Sequence, residues 1–238
     1  MNQQKNPINV PASKLPKAEY KQGDFRGSFH WRVLRILSEF VDGFQFLADF
    51  NDVRTVTFFG SARLEENSRW YGVARELGKL LGEKGYGVVT GGGPGIMEAG
   101  NRGVSEGGGE SIGLNIQLPY EQRVNQWVRK SAGFHYFFSR KVMLSYSAQA
   151  YVYFPGGFGT LDEFFELVTL IQTKKVSRQI PIICVGHEFW EPLAKWGESS
   201  VYGKFNAIDR EDMDIYTVVD TPEEAIKIIK KSKQIKYF

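Results

Sequence analysis

A glycine-rich segment at positions 155–163, Pro-Gly-Gly-Phe-Gly-Thr-Leu-Asp-Glu, holds the residues best suited to chemistry. It follows an apolar run at 150–154 that predicts a buried strand, and it precedes a run at 164–172 that predicts a helix. A turn of this kind presents backbone N–H groups at the positive end of a helix dipole, where a phosphate binds well. The candidate phosphate ligands are Gly156, Gly157, Gly159 and Thr160. Glu163 follows them just inside the predicted helix, so a carboxylate would lie near whatever the phosphate binds, which suits chemistry on a nucleotide.

Other turns are expected at the same edge of the predicted sheet, because ligands of open parallel sheets bind beyond the carboxyl ends of the strands. One turn ends the predicted strand at 55–60, one is the Gly-Gly-Gly-Pro-Gly segment at 91–95, and one comes after Gln117. The candidate ligands in the first two are Gly60, Ser61, Gly92 and Gly93. The segment at 91–95 is equally well explained as a tight turn between a strand and a helix.

The sequence lacks the common nucleotide and metal motifs. It contains no Walker A pattern, and the dinucleotide fingerprint fails because Glu98 stands where the third glycine is needed. Gln117 stands at the strand end where an acid would bind a ribose diol. The three histidines are scattered, and no metal-ligand spacing is present. We therefore expect neither a metal nor a nicotinamide cofactor.

Four segments resemble a known family. Positions 155–163 match Pro-Gly-Gly-x-Gly-Thr-x-x-Glu, and Phe-Ser-Arg-Lys-Val-Met at 138–143 resembles Arg-Lys-x-x-Met with its methionine one position early. The segments at 91–99, Gly-Gly-Gly-Pro-Gly-Ile-Met-Glu-Ala, and 59–62, Phe-Gly-Ser-Ala, resemble two further glycine turns of the same family. The family is LOG ("Lonely Guy"), which releases the base from nucleoside 5′-monophosphates, notably cytokinin ribotides. The resemblance covers positions 53 to 185.

This resemblance implies roles for named residues. Glu163 would be the catalytic carboxylate and Arg140 its catalytic partner, while the glycines and threonine of 155–160 would bind the 5′-phosphate. Lys141 and Glu98 would border the sugar and the crevice, although Glu98 replaces a glycine of the plant enzymes. The resemblance also implies a homodimer that needs no cofactor. Many relatives are labelled lysine decarboxylase, but that chemistry requires a lysine Schiff base with pyridoxal phosphate, which nothing in the sequence supports.

Hydrolysis of an N-glycosidic bond fits these residue types. The reaction passes through an oxocarbenium-like sugar, which a carboxylate stabilises while it orients or deprotonates water. The guanidinium of Arg140 can grip the phosphate or ribose, or hold Glu163 ionised. The sequence therefore predicts hydrolysis of a purine nucleoside 5′-monophosphate, N6-prenylated ones included, to free base and ribose 5-phosphate. Two alternatives stay open: Glu163 as a simple first-turn helix acid, and a non-catalytic carrier of a nucleotide or phosphorylated cofactor, resembling molybdenum-cofactor carrier proteins.

These residues require an α/β scaffold. Short apolar runs alternate with helical patterns, which predicts a single-domain, doubly wound parallel sheet of the Rossmann-like kind. We predict a flexible arm at residues 1–27 and a helical extension at 28–50, which is either one amphipathic helix or a pair broken at Gly43. The LOG-type domain is predicted at 51–238. Strands are predicted at 55–60, 85–90, 111–117, 150–154, 179–185 and 215–219, and helices at 69–84, 96–106, 138–148, 164–173, 188–197 and from 222 onward. The apolar helices at 28–50 and 138–148 offer surfaces for a homodimer.

The composition narrows the function classes. The chain has 238 residues and a formal net charge of +3, which is too mild a charge to predict a nucleic-acid partner. Its single cysteine, Cys184, excludes an internal disulfide and lies in an apolar run typical of a buried thiol. No apolar run approaches the ~20 residues that span a bilayer, and the polar N-terminus does not resemble a signal peptide. We therefore expect a cytoplasmic protein with no membrane partner and a small nucleotide as substrate.

Overall fold

A seven-stranded parallel sheet organises the protein, and this confirms the predicted α/β fold. The computed structural model describes residues 27–116 and 124–232. Within these residues every strand pair is parallel. The strands are β1 (Thr55–Phe59), β2 (Gly87–Thr90), β3 (Ser111–Ile116), β4 (Lys130–Phe134), β5 (Tyr151–Tyr153), β6 (Ile182–Val185) and β7 (Tyr216–Val219). The predicted arm at 1–27, except Gly27, and the predicted turn after Gln117 lie outside the described residues.

The strand order creates a switch point at the centre of the sheet. The order is β4-β3-β2-β1-β5-β6-β7. The strands β2, β3 and β4 extend the sheet on one side of β1, and β5, β6 and β7 extend it on the other side. The first strand pairs directly with β5, with Phe59 opposite Tyr153. The helices that follow these two strands pack on opposite faces of the sheet, and the crevice at such a switch point is where ligands bind in doubly wound sheets.

Helices cover both faces of the sheet. They are α1 (Phe29–Ala48), α2 (Arg69–Gly82), α3 (Ile96–Glu106), α4 (Phe137–Tyr146), α5 (Phe158–Gln172), α6 (His187–Trp196) and α7 (Pro222–Lys231), with a π-helix at Gly197–Lys204 and a 3₁₀ helix at Arg210–Asp214. One core, with Met143, Phe164 and Trp190, lies under α1, α4, α5 and α6. The other core, with Leu77 and Ile226, lies under α2, α3 and α7. Side chains of successive strand residues alternate between these cores, because neighbouring positions of a strand face opposite sides.

Several element bounds differ from those predicted. The first helix continues through Gly43 as one helix, so the broken pair is wrong. The fifth helix begins at Phe158 rather than Phe164, so Gly159 and Thr160 form its first turn and Glu163 lies in the second. The strand β4 was not predicted at all. The predicted helix from 222 onward is α7, and it begins with a capping box in which Thr221 and Glu224 each accept a hydrogen bond from the other's backbone N–H.

Candidate active site

A cleft of about 1140 Å³ opens beyond the carboxyl ends of β1 and β5. A hydrogen bond joins the turns after these strands, since the N–H of Ser61 donates to the carbonyl of Pro155 at 3.0 Å. The predicted site residues that line the cleft are Gly60, Ser61, Arg140, Lys141, Gly156, Gly157, Gly159, Thr160 and Glu163. The fold therefore brings together residues from three separate segments of the sequence at the topological switch point.

The start of α5 forms one wall of the cleft and is left open to solvent. Gly157 is its N-cap, and no side chain caps the helix, so the first N–H groups are available to a ligand. A Cβ on Gly156 would collide with the side chain of Thr160, which explains that glycine by packing. A Cβ on Gly157 or Gly159 would meet no atom within 4 Å. These two glycines therefore leave free space over the helix end, which suits an anion in close contact with the backbone.

Glu163 places a carboxylate in the cleft one helical turn beyond those glycines. Its side chain lines the cleft although the residue is only 9% exposed. Among the described residues the carboxylate has no hydrogen-bond partner. Burial, followed by the negative charge of Glu166, raises the pKa of Glu163 to about 7, against the opposing charges of Arg140 and Lys141. A pKa near neutrality suits a group that must exchange a proton with water during reaction.

Arg140 enters the cleft from α4. Its Nε is buried and has no hydrogen-bond partner among the described residues. The guanidinium lies 5.4 Å from the ring centroid of Phe137, and its Nη1 would lie 3.7 Å from a Cβ on Gly91. Burial lowers the pKa of Arg140, and the charge of Glu163 opposes that effect. A desolvated cation with free donors beside a desolvated carboxylate is typical of a binding or catalytic site rather than a surface ion pair.

Lys141 connects the two helices that carry the charged residues. Its Nζ lies 2.9 Å from Asp162 and 3.3 Å from Glu166, both on α5. Burial alone would lower the pKa of Lys141, but the hydrogen bond to Asp162 and the charge of Glu166 outweigh burial and raise it. A lysine that forms a Schiff base must lose its proton. Lys141 is the one lysine in the described lining, and its environment does not fit pyridoxal phosphate chemistry.

Phenylalanines form the apolar rim of the cleft. Phe158 of α5 is 92% exposed, and Phe137 and Phe138 of α4 are 63% and 48% exposed. All three line the cleft. Large exposed rings are unfavourable in water and are typical of a surface that contacts a ligand. Sequence reasoning missed Phe158 because it occupies the variable position of the glycine motif.

Three predicted site residues stay outside the described lining. Gly92 and Gly93 are buried, and their carbonyls accept hydrogen bonds from the amide of Asn125 at 3.2 and 2.9 Å. Gly92 has a φ of +71°, which explains its glycine by backbone geometry. Glu98 faces Glu66 and Arg102, and its pKa is raised by burial and by Glu66. The turn at 91–95 therefore has the tight geometry that the sequence also allowed, although its first residue, Gly91, lines the cleft, and phosphate binding by Gly92 and Gly93 stays a prediction.

Residues 27–116 and 124–232 contain no group of three or more His, Cys, Asp or Glu side chains placed to hold a metal ion. No helix within the same residues has the length and hydropathy that crossing a membrane requires.

The sheet, its switch point and the glycine turn define a Rossmann-like α/β protein. A family model described as "Possible lysine decarboxylase" matches residues 97–229, more than half of the chain. The chain belongs to this family, the LOG family, as the resemblance predicted. A rice (Oryza sativa subsp. japonica) relative named cytokinin riboside 5′-monophosphate phosphoribohydrolase LOG is 32% identical over 162 residues, which cover 66% of this chain. A second rice relative, a probable enzyme of the same name, is 30% identical over 64% of this chain. The matches span 64% and 62% of these relatives' own lengths.

Solved structures share the fold. The molybdenum cofactor carrier protein of Chlamydomonas reinhardtii superposes with a TM-score of 0.58 at 21% identity, over 75% of this chain and 97% of that one. The molybdenum cofactor binding protein of Rippkaea orientalis gives a TM-score of 0.54, also at 21% identity, over 75% of this chain and 94% of that one. At this identity the likeness concerns the fold alone.

Proposed function

We propose that this protein hydrolyses the N-glycosidic bond of a purine nucleoside 5′-monophosphate, N6-prenylated ones included, to free base and ribose 5-phosphate. The observation that carries the proposal is the carboxylate of Glu163, buried in the cleft beside the open start of α5 and within the field of Arg140. The printed names of the two rice relatives support the same reaction class.

In this proposal the 5′-phosphate binds at the start of α5. The N–H groups of Gly157, Gly159 and Thr160 would hold it by the helix dipole and by hydrogen bonds, with Gly60, Ser61 and Gly156 shaping the facing turns. The apolar rim formed by Phe137, Phe138 and Phe158 would contact the base. Binding energy from the phosphate would then orient the ribose at the reacting carbon, so a nucleoside without phosphate should react poorly.

Bond cleavage would follow at the anomeric carbon. The bond between C1′ and the base nitrogen breaks with its electron pair moving to the base, and positive charge develops on the sugar ring. The ionised carboxylate of Glu163 stabilises that charge and takes a proton from the attacking water. The water oxygen bonds to C1′, and the proton that Glu163 took from water passes to the base nitrogen that received the electron pair, which restores the carboxylate. Arg140 would hold the phosphate or ribose, and Lys141 would border the sugar.

A substrate panel tests this function directly. The purified protein is incubated with AMP, GMP, CMP, an N6-prenylated AMP and adenosine, and free base and ribose 5-phosphate are quantified by chromatography. Base release from a purine monophosphate but not from adenosine supports the proposal. Nucleotide binding without release from any of them would contradict it and leave a carrier function.

We also propose that the protein is a homodimer. Leu34, Leu37 and Val41 form an exposed apolar stripe on the outer face of α1, a surface that a second copy could cover. Light scattering during gel filtration decides the question, since a particle of the 27.0 kDa chain mass would contradict the proposal.

A further inference from the structure

Glu39 on α1 accepts three hydrogen bonds from the segment that opens α4. The backbone N–H of His135 donates to its Oε1 at 2.8 Å, and the N–H of Tyr136 donates to its Oε2 at 3.2 Å. The hydroxyl of Ser139 donates to Oε2 at 2.5 Å. Glu39 has no ion pair with a lysine or arginine among the described residues, so N–H and O–H donors and the helix end balance its charge.

The fourth helix has no capping side chain of its own. Its N-cap is Tyr136, which makes no side-chain cap hydrogen bond. The carboxylate of Glu39 therefore supplies from another element the negative charge and acceptors that a helix start needs. This matters for the cleft because the first five residues of α4 include Phe137, Phe138, Arg140 and Lys141, all of which line it.

Close packing holds α1 in register against α4. A Cβ on Gly43 would lie 2.8 Å from the sulfur of Met143, so the two helices approach more closely here than any other residue would allow. The ring of Phe44 meets that of Tyr146 edge to face, with centroids 6.0 Å apart. Glu39 lies one helical turn before Gly43, so a shift of the carboxylate would be transmitted to the start of α4.

We propose that Glu39 is a positioning residue that sets the start of α4 and thereby fixes Arg140 opposite Glu163. The inference rests on the proposed roles of Arg140 and Glu163. Glu39 lies outside the matched family range of 97–229, so the device belongs to the helical extension rather than to the part of the chain that the family model describes.

The test compares Glu39→Gln with Asp42→Asn. Glutamine keeps the shape of Glu39 but turns one acceptor into an NH₂ group that faces donors. Asp42 is an exposed acid on the same helix whose carboxylate accepts from Ser38 of that helix, so its amide variant is the matched control. The readouts are kcat and KM with AMP, and the pKa of Glu163 followed by carbon NMR on protein labelled in glutamate carboxyls.

We expect Glu39→Gln to lower kcat by about tenfold, because small displacements of positioned groups are costly. The KM for AMP should change less than kcat, since the N–H groups proposed to bind the phosphate lie on α5 and stay in place, and only the contacts from the start of α4 weaken. The pKa of Glu163 should rise, because Arg140 and Lys141 lower it from α4, whereas Glu166 and Asp162 on α5 stay in place. Asp42→Asn should leave all three quantities unchanged.

Several outcomes would overturn the proposal. An unchanged pKa of Glu163 in Glu39→Gln, even with a lower melting temperature, would show a merely structural role. Equal effects of Glu39→Gln and Asp42→Asn would show the same. If Glu39→Gln does not fold, Ser139→Ala removes one of the three hydrogen bonds, and it should shift the pKa in the same direction by less. If the wild type releases no base, the proposed function fails, while the NMR comparison still decides the role of Glu39.

Discussion

Arg140 on α4 opposes the rise in the pKa of Glu163 on α5. Burial and the neighbouring Glu166 raise that pKa to about 7, and the charges of Arg140 and Lys141 act in the other direction. The carboxylate is therefore neither a fully ionised surface acid nor a permanently neutral buried one. Its pKa depends on charged groups from both helices that form the cleft, Arg140 and Lys141 on α4 and Glu166 on α5, and this links the site to measurable pH behaviour.

The pH dependence of catalysis should follow the ionisation of Glu163. Because the proposed mechanism uses the carboxylate form, kcat/KM for AMP should rise with pH and level off above an apparent pKa of about 7. Glu166→Gln removes the largest negative charge acting on Glu163, so the midpoint should move to lower pH. Initial rates across a pH series for both proteins provide the measurement.

The quantity to compare is the difference in midpoint pH between the wild type and Glu166→Gln. The phosphate of the substrate titrates in a neighbouring pH range, but it does so identically for both proteins. Asp162→Asn provides a graded comparison, with a smaller shift in the same direction. A midpoint that stays fixed in Glu166→Gln, or activity that falls as pH rises through this range, would show that ionised Glu163 is not the catalytic form.

The stability of the protein should fall as pH rises, whereas its activity should rise. Between the ordinary glutamate pKa of 4.5 and about 7 the native protein keeps a proton on Glu163 that the unfolded chain has lost. As pH rises through this window, the free energy of unfolding of the wild type should therefore fall relative to that of Glu163→Gln. Below the window the difference should be small, and above it the variant should be more stable by up to roughly 3 kcal/mol. Urea unfolding at about pH 5 and about pH 8 measures the difference. A pH-independent difference would contradict the raised pKa.

The glycines at the start of α5 should separate folding from binding. Gly157→Ala and Gly159→Ala add a methyl group where no protein atom lies within 4 Å, so the melting temperature should be preserved. The same methyl group would occupy the proposed phosphate space and raise the KM for AMP by about tenfold or more, a loss of about 1.4 kcal/mol or more in binding.

Two further alanine variants complete that experiment. Gly72→Ala on α2 is the matched control, since its Cβ also meets no atom within 4 Å and it lies away from the cleft. Gly156→Ala should lower the melting temperature, because its Cβ would collide with Thr160. An unchanged KM in both Gly157→Ala and Gly159→Ala would place the phosphate elsewhere.

Local sequence signals predicted most of the fold because they act over a few residues. The bounds of α3, Ile96–Glu106, are those predicted, because a glycine flanks the helix at each end. The strand β4, Lys130–Phe134, was missed because its sequence lacks apolar alternation and its residues are mostly exposed. It exists through pairing with β3, which is a long-range contact. The early start of α5 was missed because glycine usually marks a loop, although a helix start tolerates it.

Long-range contacts also limited how much of the candidate site could be predicted from the sequence. The motif at 155–163 led to Glu163 and to the phosphate-type turn, because both lie in one short segment. Nothing local distinguishes Gly92 and Gly93 from phosphate ligands, and only the fold shows that Asn125 binds their carbonyls. Glu39 and Tyr136 lie 97 positions apart, so no sequence pattern indicates their hydrogen bond.

The most direct test of the central claim is base release from AMP by the wild type, Glu163→Gln and Glu98→Gln, with AMP binding measured for each by calorimetry. Each variant removes one of the acids that the sequence offers, and of these two acids Glu163 lines the described cleft whereas Glu98 does not. We predict that Glu163→Gln binds AMP and loses about 10²- to 10⁴-fold in kcat, whereas Glu98→Gln keeps wild-type rates. Wild-type turnover in Glu163→Gln would contradict the assignment of Glu163 as the catalytic carboxylate.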